Sequence, residues 1–154
     1  MEAKLVCKVM LFSYRELEKR CDLIDRAIYT TAIRSAFRDT WEAYKEIEQL
    51  TREKVAYINT KVVIDQALAT VKKKYELEQY HINGISIEKL AEEFNVNRNI
   101  IEHRLCRQRE KLYKAMLNIY SGGELLNIIC DSGRLKDKYK QAVKCAYNNQ
   151  DQEE

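Results

Sequence analysis

The chain has 154 residues, enough for one ordinary domain or two small helical ones but too few for two full enzyme domains. It contains no proline and only 4 glycines, and 33% of its residues are charged, so little in it interrupts a helix. The 27 basic and 24 acidic side chains leave a net charge of +3, too small to imply a nucleic-acid partner by itself.

Composition therefore predicts an all-α protein, and the charge is unevenly spread along it. Residues 61–120 hold 11 basic against 8 acidic side chains, whereas residues 13–60 hold 9 of each and residues 121–154 hold 5 and 6. Five cysteines, Cys7, Cys21, Cys106, Cys130 and Cys145, lie far apart with no C-x-x-C pair, and only His81 and His103 exist to help ligate a metal. Neither a metal site nor a cofactor is expected. The odd cysteine count and the lack of a secretory signal fit reduced thiols in a cytoplasmic protein.

In chain order, the apolar run Leu5 to Phe12 is broken by Lys8 and is far shorter than the ~20 residues a membrane span needs. It reads as a short helix or strand packed on the body, and no membrane partner is expected. Ser13-Tyr14-Arg15-Glu16 fits a capping box and predicts a helix start at Tyr14. Leu17, Cys21, Ile24 and Ile28 then form one apolar stripe at helical spacing.

A second helix is expected from Asp39 or Thr40, with Tyr44, Ile47, Thr51, Val55, Ile58 and Val62 as its seam. Together the two helices read as an antiparallel hairpin or coiled-coil element, serving either the fold alone or dimerisation. Lys72-Lys73-Lys74 reads as a solvated run, followed by a shorter helix to about Tyr80 and a turn at His81-Ile82-Asn83-Gly84. Past Tyr120, Ser121-Gly122-Gly123 is expected as a hinge or helix stop. The apolar segment Leu125 to Ile129 and an amphipathic helix from Arg134 to Tyr147 follow, the latter with Leu135, Tyr139, Ala142, Val143 and Ala146 inside. The polar stretch Asn148 to Glu154 is expected to be disordered.

The informative stretch runs from Ser86 to Leu105. Ser86 can cap a helix containing Leu90, Ala91 and Phe94, in which the small Ala91 lets a second backbone approach closely. Asn95 falls where the chain must reverse within about three residues, and asparagine tolerates the left-handed conformation needed there. Val96 plugs the corner, and Asn97 can cap a following helix whose inner face is Ile101, Leu105, Leu112 and Met116.

The outer face of that helix carries six basic side chains against two acidic ones over residues 98–114. A helix enters the major groove with its first turns at the base edges, which makes Arg98, Asn99, Glu102 and His103 the base-reading candidates. Arg104 lies beside them as a further DNA-contact candidate, and Arg107, Arg109, Lys111 and Lys114 lie further along and are expected to meet phosphates.

From Val62 to Met116 the chain resembles region four of bacterial sigma factors. The resemblance is carried by Ile64-Asp65-Gln66-Ala67-Leu68, by Ser86-Ile87-Glu88-Lys89-Leu90-Ala91-Glu92-Glu93-Phe94-Asn95-Val96-Asn97, and by Lys111-Leu112. Asn97 stands where the family has Ser or Thr, and no counterpart of the promoter-melting region two is visible. The overall layout is similar to phage late-gene activators of the ArpU and RinA type.

The resemblance implies a helix-turn-helix domain of the sigma region four type, double-stranded DNA as partner, and contact with RNA polymerase. Four segments are expected: an N-terminal helical segment over 1–60 for protein contacts or dimerisation, a DNA-binding domain over 61–120, a helical extension over 121–147, and a tail over 148–154. The functional expectation is a sequence-specific transcription regulator of a phage or prophage. The alternatives are an adaptor or sigma-like subunit docking on RNA polymerase, and the DNA-binding subunit of a packaging complex. Enzymatic activity is not expected, because no Gly-rich phosphate loop, metal cluster or nucleophile–histidine pair is visible.

Overall fold

A computed structural model describes residues 2–37 and 39–150 of the chain. Among them the secondary structure is all α, in seven helices and with no strand. No helix among the described residues is long and apolar enough to cross a membrane.

The first helix, α1, runs unbroken over Glu2–Arg34 and absorbs both the apolar run at its start and the expected helix beginning at Tyr14. Ser13 is buried in the middle of α1, and its hydroxyl accepts from Lys138 Nζ at 3.3 Å rather than capping anything. A serine hydroxyl given a partner 125 residues away no longer competes with the helix for its own backbone. Leu17 and Ile24 are buried, with Cys21 and Ile28 packed against the same core, so the stripe on α1 faces inward as its spacing requires.

A 3-10 turn at Ser35–Phe37 leads to α2, Thr40–Thr70, capped by Asp39, whose carboxylate accepts from the Trp41 N–H at 3.0 Å. Helices α1 and α2 form an antiparallel hairpin: Lys54 pairs with Asp25 and Lys61 with Glu18, so one helix recedes as the other advances. The expected seam of α2 is on the wrong face. Ala43, Ala56, Tyr57, Thr60, Val63, Ile64, Ala67 and Leu68 are buried, while Tyr44, Thr51, Val55, Ile58 and Val62 face solvent. Each set has four bulky apolar groups, but the inward one adds the small Ala43, Ala56, Thr60 and Ala67, which let the two backbones approach closely.

Three helices follow: α3 at Tyr75–His81, α4 at Ile87–Phe94 and α5 at Arg98–Ile119. The boundary expected between residues 60 and 61 falls inside α2, and α5 spans two cores. Its first half closes a small core of Leu90, Ile101 and Leu105, and its second half contributes Leu112, Tyr113 and Met116 to the main core with α1 and α2.

The stretch expected as a hinge or helix stop follows the end of α5 at Ile119, and it also opens α6, Gly122–Cys130. Ser121 and Glu124 form a capping box there, with 2.7 and 3.2 Å hydrogen bonds in the two directions. Gly122 lies so close to α1 that a Cβ on it would come within 2.8 Å of the Ala3 Cβ. The last helix, α7, covers Gly133–Gln150, three residues beyond the expected end at Tyr147, so residues 148–150 of the expected tail are helical. Residues 151–154 lie outside the described residues. Leu135 is fully buried in the α7 contact, and Arg134 and Lys138 tie that helix to Glu16 of α1.

Candidate nucleic-acid interface

The corner between α4 and α5 follows from local chemistry. The Ser86 hydroxyl accepts from the Lys89 N–H and starts α4. Asn95 takes φ 51 and ψ 47, the one non-glycine residue with positive φ among those described. Its amide and that of Val96 return to the Ala91 carbonyl, which ends α4 in a left-handed cap. The Asn97 side chain then accepts from the Asn99 N–H and begins α5 after a three-residue reversal.

Behind the corner Leu90, Ile101 and Leu105 are fully buried, with Ala91 and Val96 packed against them. Phe94 does not join this core. It stays 38% exposed, edge-to-face with Tyr75 at 5.6 Å and under the Arg104 guanidinium at 5.4 Å. Its ring sits between Tyr75 of α3 and Arg104 of α5, outside the small core.

The expected contact residues divide into two groups. Arg98, Asn99, Glu102 and His103 are all exposed, but Arg98 is already held between Glu88 of α4 and Glu102, at 2.9 Å from each. Arg104 reaches Glu76 of α3 at 3.1 Å, and the same carboxylate accepts from Gln108 Nε2 at 2.6 Å. Burial raises the Glu76 pKa, but the Gln108, backbone and Arg104 contacts outweigh it and hold the carboxyl below its ordinary range. Gln108 completes the network by accepting from the Leu77 N–H at 2.8 Å.

Arg109 is not aimed at solvent either. It lies over the rings of Phe12 and Tyr80 and donates to the buried His81. Burial, and secondarily the Arg109 charge, push His81 down to about 3. Arg104 and Arg109 are thus bonded within the fold, which is not the free presentation expected of DNA contacts.

Arg107 and Lys111 remain exposed, as do His103 and Lys114, and the four recur at spacings of four, four and three along one face of α5. None of them forms an ion pair among the described residues. Two further cations converge on this stripe from the α2–α3 connection. Lys73 lines an open cleft of about 740 Å³ with Arg107 and Lys111, and Lys72 lines a neighbouring one with Lys111 and Lys114. Lys72 and Lys73 are exposed, as expected of a solvated run; their convergence on α5 depends on the fold.

Among the described residues no group of three or more His, Cys, Asp or Glu side chains is arranged to hold a metal ion. All five cysteines are free, and burial pushes the Cys7 thiol up to about 11. Compared with family models, curated proteins and solved structures, the chain matches none.

Proposed function

We propose that the chain is a sequence-specific DNA-binding transcription regulator that presents α5 to the major groove as the second element of a helix-turn-helix. The observation that carries this reading is the exposed start of α5 beyond the Asn95 corner, continuous with a stripe of unpaired cations on the same helix. A helix of this kind meets base edges with its first turns and phosphates with its later ones.

In this reading Asn99 and His103 contact bases, while Arg107, Lys111, Lys114 and Lys73 contact phosphates. Arg98 fixes α4 against α5 through Glu88, and Glu102 holds it in place, so neither is counted among the free contacts. The resemblance to sigma region four supports promoter DNA as the target, and the phage-activator layout supports a role in activating phage or prophage genes.

One observation favours a second reading, in which the same surface docks on RNA polymerase. Two of the arginines expected at DNA, Arg98 and Arg104, already have carboxylate partners, which lowers the net positive charge offered to phosphates. Selection of bound duplexes from a random pool separates the two. Enrichment of one motif by the wild type, lost in Asn99→Ala, supports base reading. No enrichment at low salt, with polymerase retained on immobilised protein, supports the adaptor.

A further inference from the structure

The cleft that Lys73 shares with Arg107 and Lys111 differs from the rest of the cationic face in that one half of it is aromatic. Tyr75 and Phe94 line it while remaining 44% and 38% exposed, so both offer ring surface to whatever enters. The two rings stand nearly at right angles, 5.6 Å apart, with the Arg104 guanidinium over Phe94. Glu76 holds Arg104, and Glu93 accepts from the Tyr75 hydroxyl at 2.7 Å, so this end is set in place before a ligand arrives.

The other half is cationic. Lys73, Arg107 and Lys111 line it and form no ion pair among the described residues. Position along α5 separates the halves: Arg104 marks the aromatic end, and Lys111 marks the other, being shared with a neighbouring cleft that no aromatic ring lines. At about 1.5 Å of helix rise per residue the two ends lie roughly 10 Å apart.

Charge and shape together say what fits. Lys73, Arg104, Arg107 and Lys111 outnumber Glu76 and Glu93 in the lining by two, and a phosphate monoester carries close to two negative charges, about −1.5 to −2, at neutral pH. The volume of about 740 Å³ suits a small molecule. Inorganic phosphate would use the cationic half alone, and an uncharged planar ligand the aromatic half alone. A nucleoside phosphate uses both, because its base stacks on rings and its anionic end pairs with Lys and Arg. Glu93 Oε2, which Tyr75 does not engage, is an acceptor for a base amino group at the aromatic end.

We infer that this cleft binds a nucleoside phosphate, with the base against Tyr75 and Phe94 and the phosphate on Lys73, Arg107 and Lys111. A free nucleotide and a nucleotide unit of a single strand present this same chemistry. The site shares its three cations with the proposed duplex surface, but it rests on the cleft alone and its test uses no duplex.

Isothermal titration calorimetry of the full chain tests the inference with adenosine 5′-monophosphate, adenosine, inorganic phosphate and a short single-stranded oligodeoxyadenylate. The nucleotide binds at least tenfold more tightly than adenosine or inorganic phosphate. Phe94→Ala weakens it by roughly tenfold, the loss expected for one stacked base, with helical circular dichroism unchanged. Lys73→Glu, on an exposed connection away from either core, weakens it as well. Binding of the mononucleotide identifies a free nucleotide as the ligand, and binding of the oligonucleotide alone, weakened by the same two substitutions, identifies a unit of a single strand. Binding of neither overturns the site, as does a mononucleotide bound no more tightly than inorganic phosphate, or binding indifferent to both substitutions. A chain that binds the nucleotide but no duplex contradicts the proposed function and supports this site.

Discussion

Arg109 donates its Nε–H to Nε2 of His81 over 2.9 Å, and the two side chains share the faces of Phe12 and Tyr80. This joint ties α1, α3 and α5 together through a histidine that must stay neutral to accept the bond. In the unfolded chain an ordinary histidine takes up a proton near pH 6.5, whereas folded His81 refuses one down to about 3. Stability linked to this group is therefore complete above pH 6.5 and is lost as the pH falls from there toward 3. Urea unfolding midpoints should decline over that window, and His81→Gln should flatten the decline between pH 6.5 and 4.5, before carboxylates dominate.

The same joint separates fold from function for Arg109. Arg109→Ala removes a charged hydrogen bond to a buried acceptor and should cost about 1–3 kcal/mol of stability. Its effect on duplex affinity, measured below the unfolding transition, should be small. An Arg109→Ala variant of normal stability whose DNA affinity drops like that of Arg107→Ala would return Arg109 to the phosphate contacts.

Glu76 should behave as a keystone between α3 and α5. Glu76→Ala leaves Arg104 and the Gln108 amide without their partner and should destabilise the chain by about 1–3 kcal/mol. A double-mutant cycle of Glu76→Ala with Arg104→Ala measures their coupling, and a coupling energy near zero would show that the pair contributes nothing beyond its separate members.

Asn95 tests the corner. With φ 51 it sits in the left-handed region, which costs a residue bearing an ordinary side chain roughly 1–2 kcal/mol. Asn95→Ala should lower stability by about that amount, and Asn95→Gly should not. Both are read from chemical denaturation.

The corner was the part of the fold most legible in the sequence, because every determinant is local: Ser86, Asn95 and Asn97 each act on backbone within three or four residues of themselves. What was not legible depends on contacts distant in sequence. Ser13 looks like a helix start until Lys138 is seen to occupy its hydroxyl. On α2 two apolar stripes compete with comparable bulk, and the one that packs inward combines Tyr57, Val63, Ile64 and Leu68 with the small Ala43, Ala56, Thr60 and Ala67. Small residues weigh little in a hydrophobic pattern and heavily in close helix packing.

The site divides along the same line. Helical spacing alone placed His103, Arg107 and Lys111 outward, where they are found. The pairing of Arg104 and Arg109 needed Glu76 and His81 from α3, 28 residues earlier, and the convergence of Lys72 and Lys73 on α5 needed the whole connection between α2 and α3.

Affinity for a duplex as a function of salt addresses the central claim most directly, since each phosphate contact releases condensed counterion. Log affinity should fall linearly with log salt, and Arg107→Ala and Lys111→Ala should each reduce the slope by about 1 while leaving the preferred sequence unchanged. A slope near zero, or slopes identical in wild type and both variants, would contradict a phosphate-binding face on α5.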